Sequence, residues 1–195
     1  GHSVGEIGAA LASGQIALDA AMRLAVRRGQ LMQDFAGAGA MIALRADEDT
    51  ARSLMHGLPD TVIAGYNGPM ALSLSGPVAQ IADVQARAEG AGIVIVPIRV
   101  GRAFHSPAMA QAAEALMEGL DLGAQPGHLP VFSTLNGTLA DPGAFGAPHY
   151  WRDQMLQPVR FLQAAQAATS SGDAICLEIG PGALLSRFGA APGTV

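Results

Sequence analysis

Ser3, Arg28 and His105 are widely separated in the chain, and their types suit nucleophilic acyl chemistry. Ser3 is the centre of Gly1-His2-Ser3-Val4-Gly5, a G-x-S-x-G pattern whose glycines let a serine occupy a sharp strand-to-helix turn with its hydroxyl exposed. A serine ahead of a helix is equally what an ordinary N-cap looks like. In an elbow, the Val4 backbone N–H points at the space in front of the hydroxyl, supplying one oxyanion donor, and the helix dipole adds positive potential there. A serine hydroxyl is a weak nucleophile and needs a base within hydrogen-bond reach.

The base has to come from five histidines. His56 and His128 sit in polar or turn-like contexts, His149 follows Pro148 at a helix start, and His2 is expected on the far side of the tight turn from Ser3. His105, in Gly101-Arg102-Ala103-Phe104-His105-Ser106-Pro107, lies where two parts of the chain should meet. Helical spacing puts Arg28 with Leu24, Leu31 and Phe35 on the margin of an apolar side, whereas Arg27 falls on a polar row. A guanidinium there needs an anion, either a substrate carboxylate or an internal one such as Glu6, and spacing alone slightly favours the internal pair.

These residues need a frame. The chain has 195 residues, half of them apolar, enough for one domain carrying a subdomain. Only 14% of residues are charged, the net charge is −5, and no run of Lys or Arg offers a face for nucleic acid. No apolar run approaches the roughly 18 residues of a membrane span, so neither a nucleic-acid nor a membrane partner is expected, and the compartment reads as cytoplasmic. The one cysteine, Cys176, is expected buried in a strand. No histidine pair has metal-site spacing and no thiolate cluster exists, so no metal is expected.

Helices are expected over 4–13 and 17–35, the second with Leu18, Met22, Ala25, Gly29 and Met32 as its apolar row. From about 40 to 100 the rhythm becomes strand, helix, strand, strand, helix, strand, the split βαβ order of a ferredoxin-like unit. Helices follow over 106–120, 149–155 and 159–169, with strands at 131–132 and 174–179 and a last short helix after Gly182. The fold class is therefore α/β: a hydrolase-like large subdomain, 1–36 and 104–195, with a ferredoxin-like subdomain, 37–103, inserted and the site in the cleft between them.

Taken together, these motifs resemble the malonyl-CoA:acyl carrier protein acyltransferases of polyketide and fatty-acid synthases. The resemblance runs through Gly1–Glu6, Arg27-Arg28-Gly29, Tyr66-Asn67-Gly68-Pro69, Ser75-Gly76-Pro77, Ala103-Phe104-His105-Ser106, Tyr150-Trp151, Gln157-Pro158-Val159 and Glu178–Gly182, all in the family's order. It implies a ping-pong reaction in which Ser3 takes an acyl group from coenzyme A and passes it to the phosphopantetheine thiol of an acyl carrier protein, with His105 as base and then acid. It further implies that the side-chain amide of Gln154 orients His105, that Arg28 binds the free carboxylate of the extender unit, and that adjoining synthase domains are partners. Coenzyme A enters as substrate; no cofactor is implied.

Phe104 beside the histidine and Val4 after the serine resemble the malonyl-selective pattern; methylmalonyl-selective relatives usually have a small residue and often Gln there. Arg102, which the resemblance places among the substrate-binding residues, occupies a position where many family members carry His, Tyr or another residue. The family also has an upstream segment whose glutamine backbone completes the oxyanion hole. Such a segment is expected before Gly1, and the 195 residues alone are expected to fold poorly or to be inactive, since losing one oxyanion donor costs about 10²–10³ in rate. Two other readings share the motif: a serine thioesterase or esterase, in which Arg28 would have no role, and a silent scaffold domain of a synthase.

Overall fold

The computed structural model describes residues 1–172, 174–180, 182 and 185. Its elements, in chain order, are α1 (Gly5–Ala12), α2 (Leu18–Phe35), β1 (Ala40–Leu44), α3 (Glu48–Leu54), β2 (Val62–Gly68) and β3 (Ala71–Gly76). They continue with α4 (Val78–Gly90), β4 (Ile95–Ile98), α5 (Ala110–Met117), α6 (Pro148–Leu156) and α7 (Phe161–Ala168). The expected helices are all present to within a few residues, apart from the last short one after Gly182, which lies outside the described residues.

The larger core gathers Trp151, Phe145, Leu116 and Leu24 with the alanines of α1, α2 and α5. Trp151 is fully buried because its one donor, Nε1–H, reaches the Phe145 carbonyl at 2.8 Å. Helix α2 presents Ala20, Ala21, Leu24 and Arg28 to this core. The expected apolar row is thus corrected: Leu18 and Met22 are 63% and 57% exposed. Small side chains win the inner face because α1 and α5 cross α2 closely, and α5 answers with buried Ala112 and Ala113. Arg27 spans to α5, donating to the carbonyls of Ala115 and Glu118 at the negative end of that helix.

The unit between β1 and β4 has the expected topology. Its sheet is antiparallel in the order β2-β3-β1-β4, the ferredoxin-like arrangement. Period-two alternation divides its faces. Ile42, Leu44, Leu72 and Leu74 pack with Ile81, Val84 and Ala88 under α3 and α4. Met41, Ala43, Val96 and Ile98 face the other way and line a cleft. The edge strand β2 is covered by the chain ahead of α7: Tyr66 N–H donates to Val159 O at 2.8 Å, and Val159 N–H to Ala64 O at 2.9 Å.

Two sequence expectations in the larger part are corrected. Phe132 makes only an isolated bridge with Leu139. Residues 174–179 form no ladder among the described residues, and Ile175, Leu177 and Ile179 lie exposed with Cys176, because a strand pattern buries its side chains only where a neighbouring strand or helix covers it. Among the described residues no helix is long and apolar enough to cross a membrane.

The start of β1 is where the small unit touches the loop carrying His105. Gly39 N–H bonds Gly101 O at 3.2 Å, and a Cβ on Gly39 would lie 2.5 Å from Ala103 N. Gly29, inside α2, has open space. Gly39→Ala is therefore expected to lower unfolding free energy by about 1–3 kcal/mol, whereas Gly29→Ala should raise it by up to about 1 kcal/mol; urea denaturation of both variants measures the contrast.

Candidate active site

Ser3 and His105, separated by 102 residues, meet: Ser3 Oγ lies 2.6 Å from His105 Nε2. They are also the two non-glycine residues with positive φ among the described residues, +50° and +55°. Such backbone costs on the order of 1–3 kcal/mol per residue and persists where the surroundings over-determine it. At Ser3 the determinant is the elbow. Gly5 N–H and Glu6 N–H fold back onto His2 O and Ser3 O, α1 begins at once, and a side chain on Gly1 would run into the Gly5 carbonyl. At His105 it is Ser106, whose hydroxyl donates to Ala103 O at 2.6 Å and accepts from Ala108 N–H at 3.2 Å, closing the loop on itself.

The histidine's tautomer follows from its second partner. Nδ1 lies 3.0 Å from the Gln157 carbonyl, which can only accept, so Nδ1 carries the hydrogen and Nε2 is left as the acceptor for the serine proton. Burial, and then the Arg28 charge, push the imidazole down from 6.5 to about 4. It therefore stands neutral and able to take a proton throughout the physiological range.

The side-chain amide of Gln154 does not orient His105, which corrects the sequence expectation. Its Nε2 donates to Ser3 O at 2.7 Å and to Glu6 Oε2 at 3.3 Å, while its Oε1 accepts from Arg28 Nη2 at 3.1 Å. The amide is consumed by these three groups, and main-chain groups meet the imidazole instead, the Gln157 carbonyl and the backbone of Gln154 itself. Arg102 is corrected too. It is not among the residues lining the cleft, and its guanidinium turns to Gly101 O and to Gln33 O in the last turn of α2, where a helix's exposed carbonyls favour a cation.

Arg28 is 4% exposed and lines the cleft. Among the described residues it has no ion pair. Its one side-chain partner is the neutral Gln154 oxygen, and Nε carries no hydrogen bond. Glu6 acts on it through space without touching it, so the internal salt bridge that spacing slightly favoured is absent. Burial pulls the guanidinium down to about 10, still charged at neutral pH. A buried cation with an unused donor is costly unless an anion from outside the chain completes it.

His2 is a further correction. It faces the cleft, with Nε2 2.7 Å from Asn67 Oδ1 on β2, and Asn67 Nδ2 in turn donates to Ser73 on β3. The elbow is thereby tied to the small unit. Spacing in the sequence carried no sign of this contact, nor of Gln157 as the histidine's partner, since both join distant segments. Glu6 was more legible: it shares a helix face with buried Ile7 and Ala10, where a carboxylate is out of place.

The cleft encloses about 1130 Å³ between the elbow, the His105 loop and the open face of the small sheet. Val4 and Phe104 line it next to Ser3 and His105. The Val4 N–H, at the head of α1, makes no hydrogen bond among the described residues. No group of three or more His, Cys, Asp or Glu that could hold a metal occurs among them. The arrangement provides a nucleophile with a neutral base, a free N–H beside it, a buried cation and a long apolar floor. It can take up an acyl group that carries an anionic end.

Residues 1–194 match the family model described as the acyl transferase domain. A polyketide synthase of Streptomyces halstedii, GfsB, is 36% identical over 198 residues, covering 97% of this chain and 4% of that protein. The loading acyltransferase of the avermectin modular polyketide synthase superposes with a TM-score of 0.90 at 29% identity, over 96% of this chain and 61% of that one. The malonyl CoA-acyl carrier protein transacylase of Clostridium perfringens superposes with a TM-score of 0.88 at 26% identity, over 100% of this chain and 64% of that one. The chain thus has the α/β fold of these domains and spans less than two thirds of the length of each relative.

The displaced His105 titration has a stability signature. Above pH 6.5 the imidazole is neutral folded or unfolded. As pH falls through 6.5 the unfolded chain takes up a proton that the folded protein refuses until about pH 4, so this residue progressively destabilises the fold across that window. NMR titration of the histidine ring carbons is expected to show His105 still unprotonated at pH 5.5.

Proposed function

The chain belongs to the acyl transferase domain family, and from that premise we propose that it moves a malonyl unit from coenzyme A to the phosphopantetheine thiol of an acyl carrier protein, in polyketide or fatty-acid assembly. The observation that carries the reading is Arg28, a buried cation with an unused donor in the same cleft as the Ser3–His105 pair. An acyl group ending in a free carboxylate supplies what the guanidinium lacks, and a site built for such a partner rejects analogues without it.

Ser3 Oγ attacks the thioester carbonyl while its proton passes to His105 Nε2. The tetrahedral oxyanion forms beside the Val4 N–H at the positive end of α1. On collapse the C–S bond breaks, His105 returns the proton to the departing sulfur, and malonyl remains as an ester on Ser3. In the second half the carrier thiol gives its proton to His105 and its sulfur attacks the ester; the released Ser3 oxygen takes the proton back. Because Nδ1–H is held on Gln157 O, the same nitrogen serves as base and acid in both halves. Coenzyme A is a substrate here, and the chemistry calls for no cofactor.

Phe104 and Val4 support malonyl over methylmalonyl, since both border the space beside the reacting carbon. One methyl group is worth only about 1–3 kcal/mol in such a pocket, so the preference is one of degree. Adjoining synthase domains are the natural setting for this domain.

Intact-mass spectrometry of the full-length protein tests the reading after brief mixing with malonyl-CoA, methylmalonyl-CoA or acetyl-CoA. A malonyl adduct that dominates and vanishes in Ser3→Ala is expected; a folded protein taking no acyl group from any of the three would overturn the reading.

A further inference from the structure

Behind Arg28 lies a buried polar chain that the acyl-transfer steps do not use. Glu6 is fully buried. Its Oε1 accepts from Thr134 N–H at 2.7 Å and its Oε2 from Gln154 Nε2 at 3.3 Å. Tyr150 faces it as well, and the direction of that contact can be worked out. The Ser133 oxygen accepts from the N–H groups of Leu135 and Asn136 at 3.1 and 3.2 Å, so its own hydrogen goes to the Tyr150 oxygen at 2.6 Å. The Tyr150 hydrogen is left for Glu6. Every neighbour of this carboxylate therefore donates, which only an ionised carboxylate satisfies throughout.

That polarity passes on to Gln154. Glu6 and Ser3 O both accept, so both must face the NH₂ end of the amide. Its carbonyl end is then the one turned to Arg28. Reversal would set the amide oxygen against two acceptors and its hydrogens against the guanidinium, a loss of at least two bonds in a buried place.

We propose that Glu6 and Gln154 are positioning residues for carboxylate selection: Glu6 fixes the orientation of the Gln154 amide, and that amide holds Arg28 by one nitrogen with its remaining donors free for the acyl group's carboxylate. The proposal rests on the function proposed above. A direct Glu6–Arg28 ion pair would offset the guanidinium's charge and occupy one of its edges, weakening its pull on a second carboxylate. An interposed neutral amide holds it in place and keeps its charge available. The same amide grips the elbow through Ser3 O, so the carboxylate receptor and the nucleophile share one anchor.

Two near-isosteric variants test this, Glu6→Gln and Gln154→Met, with kcat/KM measured for acyl-enzyme formation from malonyl-CoA and from acetyl-CoA, which has no carboxylate. The wild-type preference for malonyl is expected to shrink on the order of 10- to 100-fold in both, through a higher KM for malonyl-CoA; acetyl loading falls less than malonyl loading, and Gln154→Met, which also gives up the bond to Ser3 O, lowers it more than Glu6→Gln. Equal losses on both donors, or an unchanged ratio, overturn the proposal even if wild type loads malonyl normally. A wild-type protein that loads neither donor instead overturns the function reading, and this one with it.

Discussion

The constraint on which the cleft depends is the contact between His105 and the backbone carbonyl of Gln157. By accepting from His105 Nδ1 the carbonyl fixes the tautomer that leaves Nε2 as the acceptor facing Ser3 Oγ. The next residues carry the fold's main joint: Val159 exchanges two backbone bonds with β2, and Arg160 N–H bonds Thr134 O. The segment that orients the base therefore also seats the small unit and touches the turn that feeds Glu6. A carbonyl in that position does what a carboxylate does in many serine enzymes without adding a negative charge beside the Arg28 guanidinium.

Charge placement explains much of the rest. His105 and Arg28 share one cleft, and the guanidinium helps to hold the buried imidazole neutral. Glu6 balances Arg28 at one remove, through Gln154, rather than by contact. The strained backbone at Ser3 and His105 is supported from opposite sides, by α1 folding back on the elbow and by the Ser106 hydroxyl closing the loop. The open face of the small sheet completes the cleft with Met41, Ala43, Val96 and Ile98, an apolar floor suited to the arm of a thioester.

The small unit was legible because alternation along β1 to β4 and the helices between them admit few topologies, and the sheet has the expected order. The meeting of Ser3 with His105 was legible from motif and chemistry together. Contacts that join distant segments were not: nothing local in Gln157-Pro158-Val159 shows that a main-chain carbonyl, rather than the Gln154 side chain, meets His105. Helix α2 was read with its inner face turned, because Leu18 and Met22 outrank Ala20 and Ala21 in hydropathy while the packing of α1 and α5 selects for size. Residues 174–179 carry a strand's pattern, yet a strand's burial is decided by what lies beside it.

The most direct test of the central claim, that Arg28 is held open for a carboxylate supplied by the acyl group, is a crystal structure of the malonylated protein. The account predicts an ester on Ser3 Oγ whose free carboxylate lies within hydrogen-bond distance of the Arg28 guanidinium, with Gln154 still on the opposite side. A carboxylate pointing to solvent or held by another residue, with Arg28 turned onto Glu6, would contradict it.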